Sequence, residues 1–395
     1  MSSVVHVVSK QDVSKHSTFS LDNKFPKLLE SSVRVQTKIV SLTSNNLTYA
    51  KLGDYLKWWG TYPVPECSPS PYNNRDNFGI VPAWGYAEVI ESTIEKIKPG
   101  VELWGFWPTS SHPVDLKLVE AEPKGHWIEV SQQRSELMSL YNRYIEVTSL
   151  NDDEKAWNAA LCVWECGYLI NRYTFPDDNK TSPIHPLGVG LPWSSDDADL
   201  TSSVVVSLSA SSKTARSFAW QLKRNRNLDA NGPLGLLQVS SNPEKSSDDH
   251  PTNLHSEFVS YKDITSEETI KWITKFQPKR VVIFDFGSPP SVVDDLKRSL
   301  KSWSSDLNVL VVGVASQGDV QFNTSGVRDK VIERQGAAHF KSVHESLKRC
   351  LNEKGMGELE LVWGQGVQGA NGIEGSWDML CNGRLDAKKA YVFKL

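Results

Sequence analysis

The pattern of apolar and polar positions changes twice along the chain. Residues 33–130 alternate short apolar runs with turn residues, and a proline-rich loop interrupts them at 63–82. Short β-branched runs bounded by Gly, Pro and Asn are typical of strands. Apolar residues in 136–144 and 154–173 instead recur at three- and four-residue spacing, which is typical of helices. This part of the chain therefore predicts a compact β-domain followed by helices.

From residue 202 onward, strand-like and helix-like segments alternate. Val204, Val205 and Val206 are consecutive, which favours a strand covered on both faces, as in a parallel sheet. The predicted strands are 203–208, 234–239, 280–285 and 308–314. The predicted helices are 212–224, 267–276 and 292–303. This alternation predicts a doubly wound parallel sheet.

Composition narrows the classes of function. A chain of 395 residues suggests two domains, and 39% hydrophobic residues exclude wholesale disorder. A net charge of −4 provides no electrostatic footprint for nucleic acid or an anionic membrane. No stretch approaches the roughly 18 apolar residues that span a bilayer, and the N-terminus is not typical of a secretory signal. Five scattered cysteines fit a reduced chain, so we expect a cytoplasmic protein.

The cysteines and the tryptophans allow more specific predictions. Cys162 and Cys166 are four apart in an apolar stretch, which predicts two buried thiols on one helix face and no zinc site. Six of the 14 tryptophans fall within 58–127. Because large rings are costly to expose, that stretch either builds a thick core or lines an apolar cleft.

The turn after the first strand of such a sheet is the usual phosphate-binding position, where glycines let the backbone approach a pyrophosphate. Here residues 207–215 contain no glycine. Small hydroxyl side chains and one lysine still favour an anion at a helix N-terminus. The candidates are Ser209, Ser211, Ser212, Lys213 and Thr214. A serine-rich turn with a solvated lysine explains the same residues equally well.

The end of the second strand distinguishes nicotinamide cofactors. An NAD site usually has Asp or Glu there, for the ribose hydroxyls. This chain has Ser240, followed by Lys245, and neutral hydroxyls with a nearby cation suit a 2′-phosphate. If a nicotinamide cofactor binds, we therefore expect NADPH. A polar loop without a ligand is the alternative.

These segments together resemble the zinc-free side of the medium-chain dehydrogenase/reductase superfamily, which holds quinone oxidoreductases and enoyl reductases. Residues 42–49 (Leu-Thr-Ser-Asn-Asn-Leu-Thr-Tyr) stand where that superfamily has an Asn-Pro-Ser-Asp segment lining the active site. Residues 84–89 resemble its Gly-Tyr-Glu turn, 99–105 its Pro-Gly-Asp turn, and 377–392 its final helix, glycine and strand. More narrowly, 45–49, 141–144 and 209–215 resemble a branch of bacterial and fungal proteins of unassigned function.

The resemblance implies an α/β protein with two domains. A GroES-like β-rich catalytic domain is expected from 1–150 and 345–395, and a Rossmann nucleotide-binding domain from 151–344. It also implies a homodimer. The departures are the nucleotide turn, whose family glycines fall on Leu208, Ser211, Ser212 and Thr214, and the absent zinc ligands. Leu208 is expected to crowd a pyrophosphate.

Candidate catalytic residues follow from the same segments. Tyr49 is the first choice for a proton donor, while Asn45 and Asn46 can donate hydrogen bonds to a carbonyl or enolate. Tyr141 lies at the domain junction of the family, and His112 is the histidine we nominate near the cleft. The alternative for Tyr49 is packing in the β-domain, and for Tyr141 it is helix packing. The alternative for His112 is a histidine in a surface loop.

Three functions remain open at this point. The leading hypothesis is an NADPH-dependent, zinc-independent reductase of a small apolar substrate, a conjugated carbonyl or quinone-like molecule. The second is a lyase, isomerase or cyclase on the same scaffold with a degenerate cofactor site. The third is a non-catalytic binding protein.

Overall fold

The fold is taken from a computed structural model that describes residues 2–22, 24–178, 180–224, 231–243 and 253–395. Contacts divide the chain into two compact units, Met1–Cys162 with Leu359–Leu395, and Val163–Glu358. We call them the β-rich unit and the Rossmann unit. These boundaries lie farther along the chain than the predicted ones, which stay a prediction. The predicted boundary residue 345 lies inside a helix, Ala337–Asn352.

The β-rich unit consists mainly of strands. Their bounds are β1 Ser2–Ser9, β2 His16–Asp22, β3 Ser32–Leu42, β4 Phe78–Gly79, β5 Pro82–Ser92, β6 Glu102–Pro108, β7 Val114–Ala121, β8 His126–Glu129, β9 Arg143–Val147, β16 Glu360–Gln365 and β17 Lys389–Lys394. Within the described residues, β1 pairs with β2 and β4, and the others form one sheet in the order β16-β17-β3-β5-β6-β9-β8-β7. Because β3 also pairs with β7, six of these strands close into a ring.

Short helices cover this sheet. They are α1 Ser44–Lys51, α2 Ser139–Asn142, α3 Asp152–Ala160 and, after the return of the chain, α11 Ile373–Cys381. A 3₁₀ turn, Trp58–Gly60, follows α1. The strands bury β-branched and aromatic residues in one core, which includes the side chains of Trp58, Trp84, Trp107 and Trp127. Most of the tryptophan-rich stretch therefore builds core.

The Rossmann unit is a parallel sheet with helices between its strands. The strands are β10 Ser203–Leu208, β11 Gly235–Ser240, β12 Ser256–Ser260, β13 Arg280–Asp285, β14 Asn308–Gly313 and β15 Val320–Gln321. Their order is β12-β11-β10-β13-β14-β15, which is the 3-2-1-4-5-6 order of dinucleotide-binding folds. The helices are α4 Trp164–Leu169, α5 Ser195–Ala198, α6 Lys213–Arg224, α7 Glu267–Thr274, α8 Val292–Trp303, α9 Thr324–Gln335 and α10 Ala337–Asn352, and a π-helix spans Ile170–Thr174.

The structure corrects two sequence predictions between the units. The predicted helix 136–144 is only the four-residue α2, because the chain enters β9 at Arg143. The predicted helix 154–173 breaks in a turn at residues 161–163. Cys162 lies in that turn and in the β-rich unit, whereas Cys166 lies on α4 of the Rossmann unit. The two thiols therefore do not share a helix face.

None of the helices in the described part of the chain is long and apolar enough to cross a membrane.

Candidate functional site

The helix α1 positions the first group of predicted residues. It begins at Thr43, whose N–H donates to Asn46 Oδ1 at 2.7 Å, while Asn46 Nδ2 donates to the Pro82 carbonyl at 2.9 Å. Both ends of the Asn46 amide are thus used to cap α1 and to fasten it to β5. Asn45 is half-buried, and its side-chain amide has no hydrogen bond to a described residue. Of the two asparagines, Asn45 is the one with free polar groups.

The Tyr49 hydroxyl lies one turn farther along α1. Its ring is buried, and the indole N–H of Trp84 on β5 donates to its oxygen at 3.2 Å. Because Tyr49 accepts in this bond, its own proton is not used there. Tyr49 is therefore placed to donate a hydrogen bond or a proton.

Tyr49 and Tyr141 come together in a group of rings that we call the aromatic cluster. Its members are Tyr49, Trp58, Trp84, Phe106 and Tyr141. The ring centroids of Tyr49 and Tyr141 are 6.1 Å apart, and the Trp58 ring lies edge-on to both, at 4.7 and 5.6 Å. All five side chains are buried in the core of the β-rich unit. The cluster combines two hydroxyls and two indole N–H groups with surroundings that are otherwise apolar.

Burial controls the protonation of the two tyrosines. It raises the pKa of Tyr49 well above its usual value, and Tyr141 and Cys162 raise it further. Burial likewise raises the pKa of Tyr141. Both hydroxyls are therefore protonated at neutral pH, which is the state a hydrogen-bond or proton donor needs.

A buried polar network supports the cluster from behind β6. Tyr144 donates to the Phe106 carbonyl at 3.1 Å and accepts from the Arg134 guanidinium at 2.6 Å. The Arg134 Nε lies 3.7 Å from a carboxylate oxygen of Glu129, and both side chains are buried. Tyr62 also donates to the Phe106 carbonyl. The network holds the strand that carries Phe106 and the segment that leads to Tyr141.

His112 lies elsewhere in the β-rich unit. Its Nδ1 is 2.7 Å from the Ser3 hydroxyl on β1, and its ring packs on Phe25 at 5.1 Å. Burial lowers its pKa. None of the described contacts of His112 is with a member of the aromatic cluster.

In the Rossmann unit, the glycine-free turn keeps a backbone shape that glycine usually provides. Ser209 follows β10 with φ at +57°, in the left-handed region. The Tyr261 hydroxyl accepts from the Ser209 N–H at 2.8 Å, and the Ser209 hydroxyl donates to the Gly287 carbonyl at 2.8 Å. The Ser212 N–H donates to the Ser209 carbonyl at 2.8 Å. These bonds hold Ser209 in its unusual conformation.

The residues of this turn leave hydroxyl donors for an anion near the N-terminus of α6. The Leu208 side chain is buried in the sheet core, so it does not crowd the turn as expected. The Ser211 and Thr214 hydroxyls have no hydrogen-bond partner among the residues the structure describes. The Ser212 hydroxyl accepts from the Ala215 N–H at 3.2 Å, as a helix cap does. Donors thus remain at two positions of the turn, and the residues fit a phosphate group.

The end of the second strand adds one residue that sequence reasoning missed. Ser240 ends β11 and is buried, and its carbonyl accepts from the Tyr261 N–H at 3.2 Å. Tyr261 therefore connects the ends of β11 and β10. Its signal in the sequence is weak, because β12 before it is a polar segment that the apolar pattern does not predict. Lys245 lies outside the described residues.

Sequence reasoning also missed the indole N–H groups of Trp58 and Trp84 as part of the candidate chemistry. The tryptophan-rich composition pointed to the region, but not to which nitrogens meet the tyrosine hydroxyls. In the described part of the chain, no group of three or more His, Cys, Asp or Glu side chains is placed to hold a metal ion.

Several solved structures share this fold over the whole chain at low identity. The enoyl thioester reductase Etr1p from Candida tropicalis, in a complex with NADP and crotonyl-CoA, is 10% identical with a TM-score of 0.53, and the match covers 100% of both chains. A protein assigned as an NADPH:quinone reductase from Bacillus thuringiensis is 11% identical with a TM-score of 0.53, covering 100% of this chain and 99% of that one. The CurF ER cyclopropanase of the curacin A biosynthetic pathway is 13% identical with a TM-score of 0.52, covering 99% of both.

These likenesses confirm the predicted fold class, a GroES-like β-rich domain with a Rossmann domain, as in medium-chain reductases. No curated protein matches the sequence. The model of one family, described as a protein of unknown function (DUF2855), matches residues 40–386. Since this match spans most of the chain, the protein belongs to the DUF2855 family.

Proposed function

We propose that this chain is an NADPH-dependent, zinc-independent reductase of a conjugated carbonyl or quinone-like apolar substrate. The observation that carries the proposal is the Tyr49 hydroxyl, which accepts from Trp84 and is protonated in apolar surroundings beside the Tyr141 hydroxyl. A buried donor of this kind stabilises charge that develops on a substrate oxygen more strongly than a solvated one. The resemblance to zinc-free reductases and the fold of the structural neighbours support the same reaction class.

The Rossmann unit would hold NADPH at the turn before α6. The hydroxyls of Ser211 and Thr214 and the N-terminus of the helix would bind the pyrophosphate, with Ser209 and Ser212 shaping the turn and Lys213 adding positive charge. Ser240 and Tyr261 would lie beside the 2′-phosphate, and Lys245, which the sequence predicts as its cation, lies outside the described residues. When bound, NADPH supplies the hydride for the reduction.

The residues of the β-rich unit would do the remaining chemistry. After hydride addition to the β-carbon, the electron pair of the C=C bond moves toward the carbonyl oxygen and leaves an enolate. Asn45 and Tyr141 would donate hydrogen bonds to that oxygen, and Tyr49 would give its proton to the α-carbon. Water then returns a proton to Tyr49. Since hydrogen-bond donors polarise the oxygen, no Lewis acid is required in this scheme.

One observation keeps a second function in view. The N–H groups of Ser209, Ala210 and Ser212 already donate within the protein, so part of the usual pyrophosphate cradle is occupied. One structural neighbour is called a cyclopropanase. A lyase, isomerase or cyclase would use Tyr49 or Tyr141 as a proton donor without a cofactor.

Cofactor titration tests the proposal. Purified protein is titrated with NADPH and NADH while cofactor fluorescence and thermal unfolding are recorded, since a ligand that binds the folded state raises its stability. We expect saturable binding of NADPH and weaker binding of NADH. No binding of either at millimolar concentration would overturn the reductase proposal and leave the non-redox enzyme.

Variants and substrates make the test specific. Lys213→Ala should weaken the binding of NADPH and NADH alike, because both cofactors carry the pyrophosphate, and unchanged affinities would contradict the role of Lys213 at that turn. Lys297→Ala, in an exposed ion pair on α8, is the matched control and should leave both affinities unchanged. NADPH consumption is then followed with trans-cinnamaldehyde and with a naphthoquinone. Binding without consumption of either would argue for the non-redox alternative. A homodimer is part of the proposal, and sedimentation equilibrium tests it.

A further inference from the structure

Tyr261 links three strand ends at the carboxyl edge of the Rossmann sheet. It directly follows β12, and its hydroxyl accepts from the Ser209 N–H, just after β10, at 2.8 Å. The Tyr261 and Ser209 hydroxyls lie 3.0 Å apart, and the Ser209 hydroxyl donates to the Gly287 carbonyl, beyond β13. Since the Ser209 hydroxyl proton goes to Gly287, the Tyr261 hydroxyl donates to Ser209 Oγ. Both the lone pair and the proton of the Tyr261 hydroxyl are therefore used by one residue of the turn.

The Tyr261 side chain also crosses the end of the second strand. The strand order is β12-β11-β10, so a side chain that runs from the end of β12 to the end of β10 passes Ser240 at the end of β11. In dinucleotide-binding sheets of this order, the adenosine ribose lies at the end of the second strand and the pyrophosphate at the turn after the first. Tyr261 therefore lies where a dinucleotide would bind.

The Ser209 N–H differs from the other bonded N–H groups of the turn in its acceptor. The Ala210 N–H donates to the Val239 carbonyl at 2.9 Å, and the Ser212 N–H donates to the Ser209 carbonyl at 2.8 Å. Backbone acceptors move only with the chain, whereas a phenol oxygen moves when its side chain takes another rotamer. Of these three N–H groups, the one at Ser209 is thus the one that a side-chain rotation can free for a ligand.

The turn keeps its shape and its access when the phenol leaves. The bonds from the Ser209 hydroxyl to Gly287 and from the Ser212 N–H to the Ser209 carbonyl do not involve Tyr261. Ser209 and Tyr261 are half-buried, and Ser211 and Gly287 are exposed, so this edge of the sheet is open to solvent. A ligand can therefore reach the Ser209 N–H from outside.

We propose that the Tyr261 hydroxyl is an internal competitor, which occupies the Ser209 N–H until a phosphate oxygen of the cofactor displaces it. This inference rests on the proposed function and deepens it, because it names a residue that sets the affinity of the cofactor site. A phosphate oxygen is charged, so it makes a stronger bond to the N–H than the neutral phenol oxygen does. The exchange favours the ligand, and the lost Tyr261 bond lowers the affinity of the site.

The competition acts mainly on NADH. Both nicotinamide cofactors carry the pyrophosphate that displaces the Tyr261 hydroxyl. NADPH also has a 2′-phosphate, which lies beside Tyr261 in the proposed site and accepts the hydrogen bond of the released hydroxyl. NADH has no such group, so it breaks the bond to Ser209 without a replacement. Tyr261 thus increases the preference for NADPH by weakening the binding of NADH.

Calorimetric titration with NADH tests the competition. Tyr261→Phe keeps the ring and removes the hydroxyl, so we expect it to bind NADH about fivefold more tightly than the wild type. The gain for NADPH should be smaller. Tyr173→Phe is the matched control, because it removes a hydroxyl of the same unit that donates to Gln335 at 2.8 Å, and it should leave the affinity unchanged. Equal or weaker NADH binding by Tyr261→Phe would overturn the inference, since loss of a hydroxyl that only shapes the turn weakens binding.

Amide hydrogen exchange, followed by mass spectrometry, shows whether the Ser209 N–H changes its partner. Without ligand, peptides that contain Ser209 should exchange faster in Tyr261→Phe than in the wild type, because this N–H loses its acceptor. Saturating NADH should slow the exchange again. Exchange that the substitution leaves unchanged, or that NADH does not slow in the variant, would contradict the displacement.

The results distinguish this inference from the proposed function. If the wild type binds and consumes NADPH but Tyr261→Phe binds NADH no more tightly, the competitor is rejected and the reductase stands. If Tyr261→Phe binds NADH more tightly but neither protein consumes NADPH with a conjugated carbonyl or quinone, the competitor stands and the reductase is rejected. No binding of NADH to either protein at millimolar concentration would overturn the competitor.

Discussion

In the β-rich unit the candidate groups are large, buried and aromatic, whereas in the Rossmann unit they are small hydroxyls in a turn. The aromatic cluster has two phenol hydroxyls and two indole N–H groups. The Trp84 N–H donates to the Tyr49 hydroxyl. In the turn, by contrast, Ser209 makes four hydrogen bonds that hold a backbone shape. In the β-rich unit the phenol hydroxyls are candidates for binding a substrate. In the Rossmann unit the hydrogen bonds of Ser209 hold the backbone of the turn.

This difference separates two kinds of departure from a family pattern. The turn contains no glycine, and neighbouring groups hold Ser209 in the left-handed conformation. In the cluster, the residue type changes what the site can do, since each indole adds one donor and a flat surface. The hydrogen bonds of the turn hold a backbone conformation, whereas the indoles of the aromatic cluster add hydrogen-bond donors.

The largest effect is expected at the network that supports the cluster. Arg134→Met leaves the Glu129 carboxylate buried without its partner and should lower the free energy of unfolding by about 3–5 kcal/mol. Urea denaturation measures this change. Lys96→Met removes an exposed ion pair with Glu120 and should cost at most about 1 kcal/mol. Similar losses in the two variants would contradict a buried, supporting network.

Tyr49→Phe tests whether the Tyr49 hydroxyl is the proton donor. Removal of the proton donor should lower kcat about 100-fold, or about 2.7 kcal/mol in activation free energy. The Trp84 N–H also loses its acceptor, so the variant should be less stable. The double variant Trp84→Phe/Tyr49→Phe removes both partners and should regain stability while staying inactive. A double variant that regained activity would show that Tyr49 acts only by packing.

Acidification should affect the β-rich unit through His6. This side chain is fully buried on β1, with its Nε2 3.0 Å from His16 Nδ1, and His16 Nε2 is 3.0 Å from the Asp378 carboxylate. Burial, with a smaller contribution from His16, lowers the pKa of His6 to about 3. Because the unfolded chain has a pKa near 6.5, it binds more protons than the folded state between these values, and stability falls as the pH falls.

The expected loss between about pH 7 and about pH 5 is about 2 kcal/mol in the free energy of unfolding, measured by urea denaturation. His6→Phe should remove this part of the pH dependence. His255→Phe, at an exposed position of the Rossmann unit, should leave it unchanged. A His6→Phe variant with the full wild-type pH dependence would assign the effect to other groups.

Parts of the fold could be predicted from the sequence because local signals agreed with the tertiary structure. The strand Arg280–Asp285 and the helix Val292–Trp303 coincide with their predicted ranges, since one is a continuous apolar run and the other has clear helical spacing. The predicted helix 136–144 failed for a tertiary reason. Tyr144 fills the space above Gly105, where a Cβ would lie 2.3 Å from its ring, and β9 pairs with β6 and β8.

The candidate site divides in the same way. Tyr49 and Tyr141 could be selected from the sequence because their segments resemble a family pattern. The hydrogen bond that Tyr49 accepts from Trp84 could not, because it depends on how the two side chains pack in the folded structure. Nor could the sequence show that the Asn46 side chain caps α1, or that Ser209 adopts the left-handed conformation.

Substitutions at Ser209 should change the free energy of unfolding least, and they test how the turn keeps its backbone conformation. A serine in the left-handed region is strained by roughly 1 kcal/mol, and its hydroxyl contributes hydrogen bonds of about the same size. Ser209→Gly loses the hydroxyl but relieves the strain, so the free energy of unfolding should change by less than about 0.5 kcal/mol. Ser209→Ala loses the hydroxyl and keeps the strain, so it should cost about 1 kcal/mol. Denaturant titration of both variants measures the difference. If glycine were the more destabilising replacement, Ser209 would not be strained in its left-handed conformation.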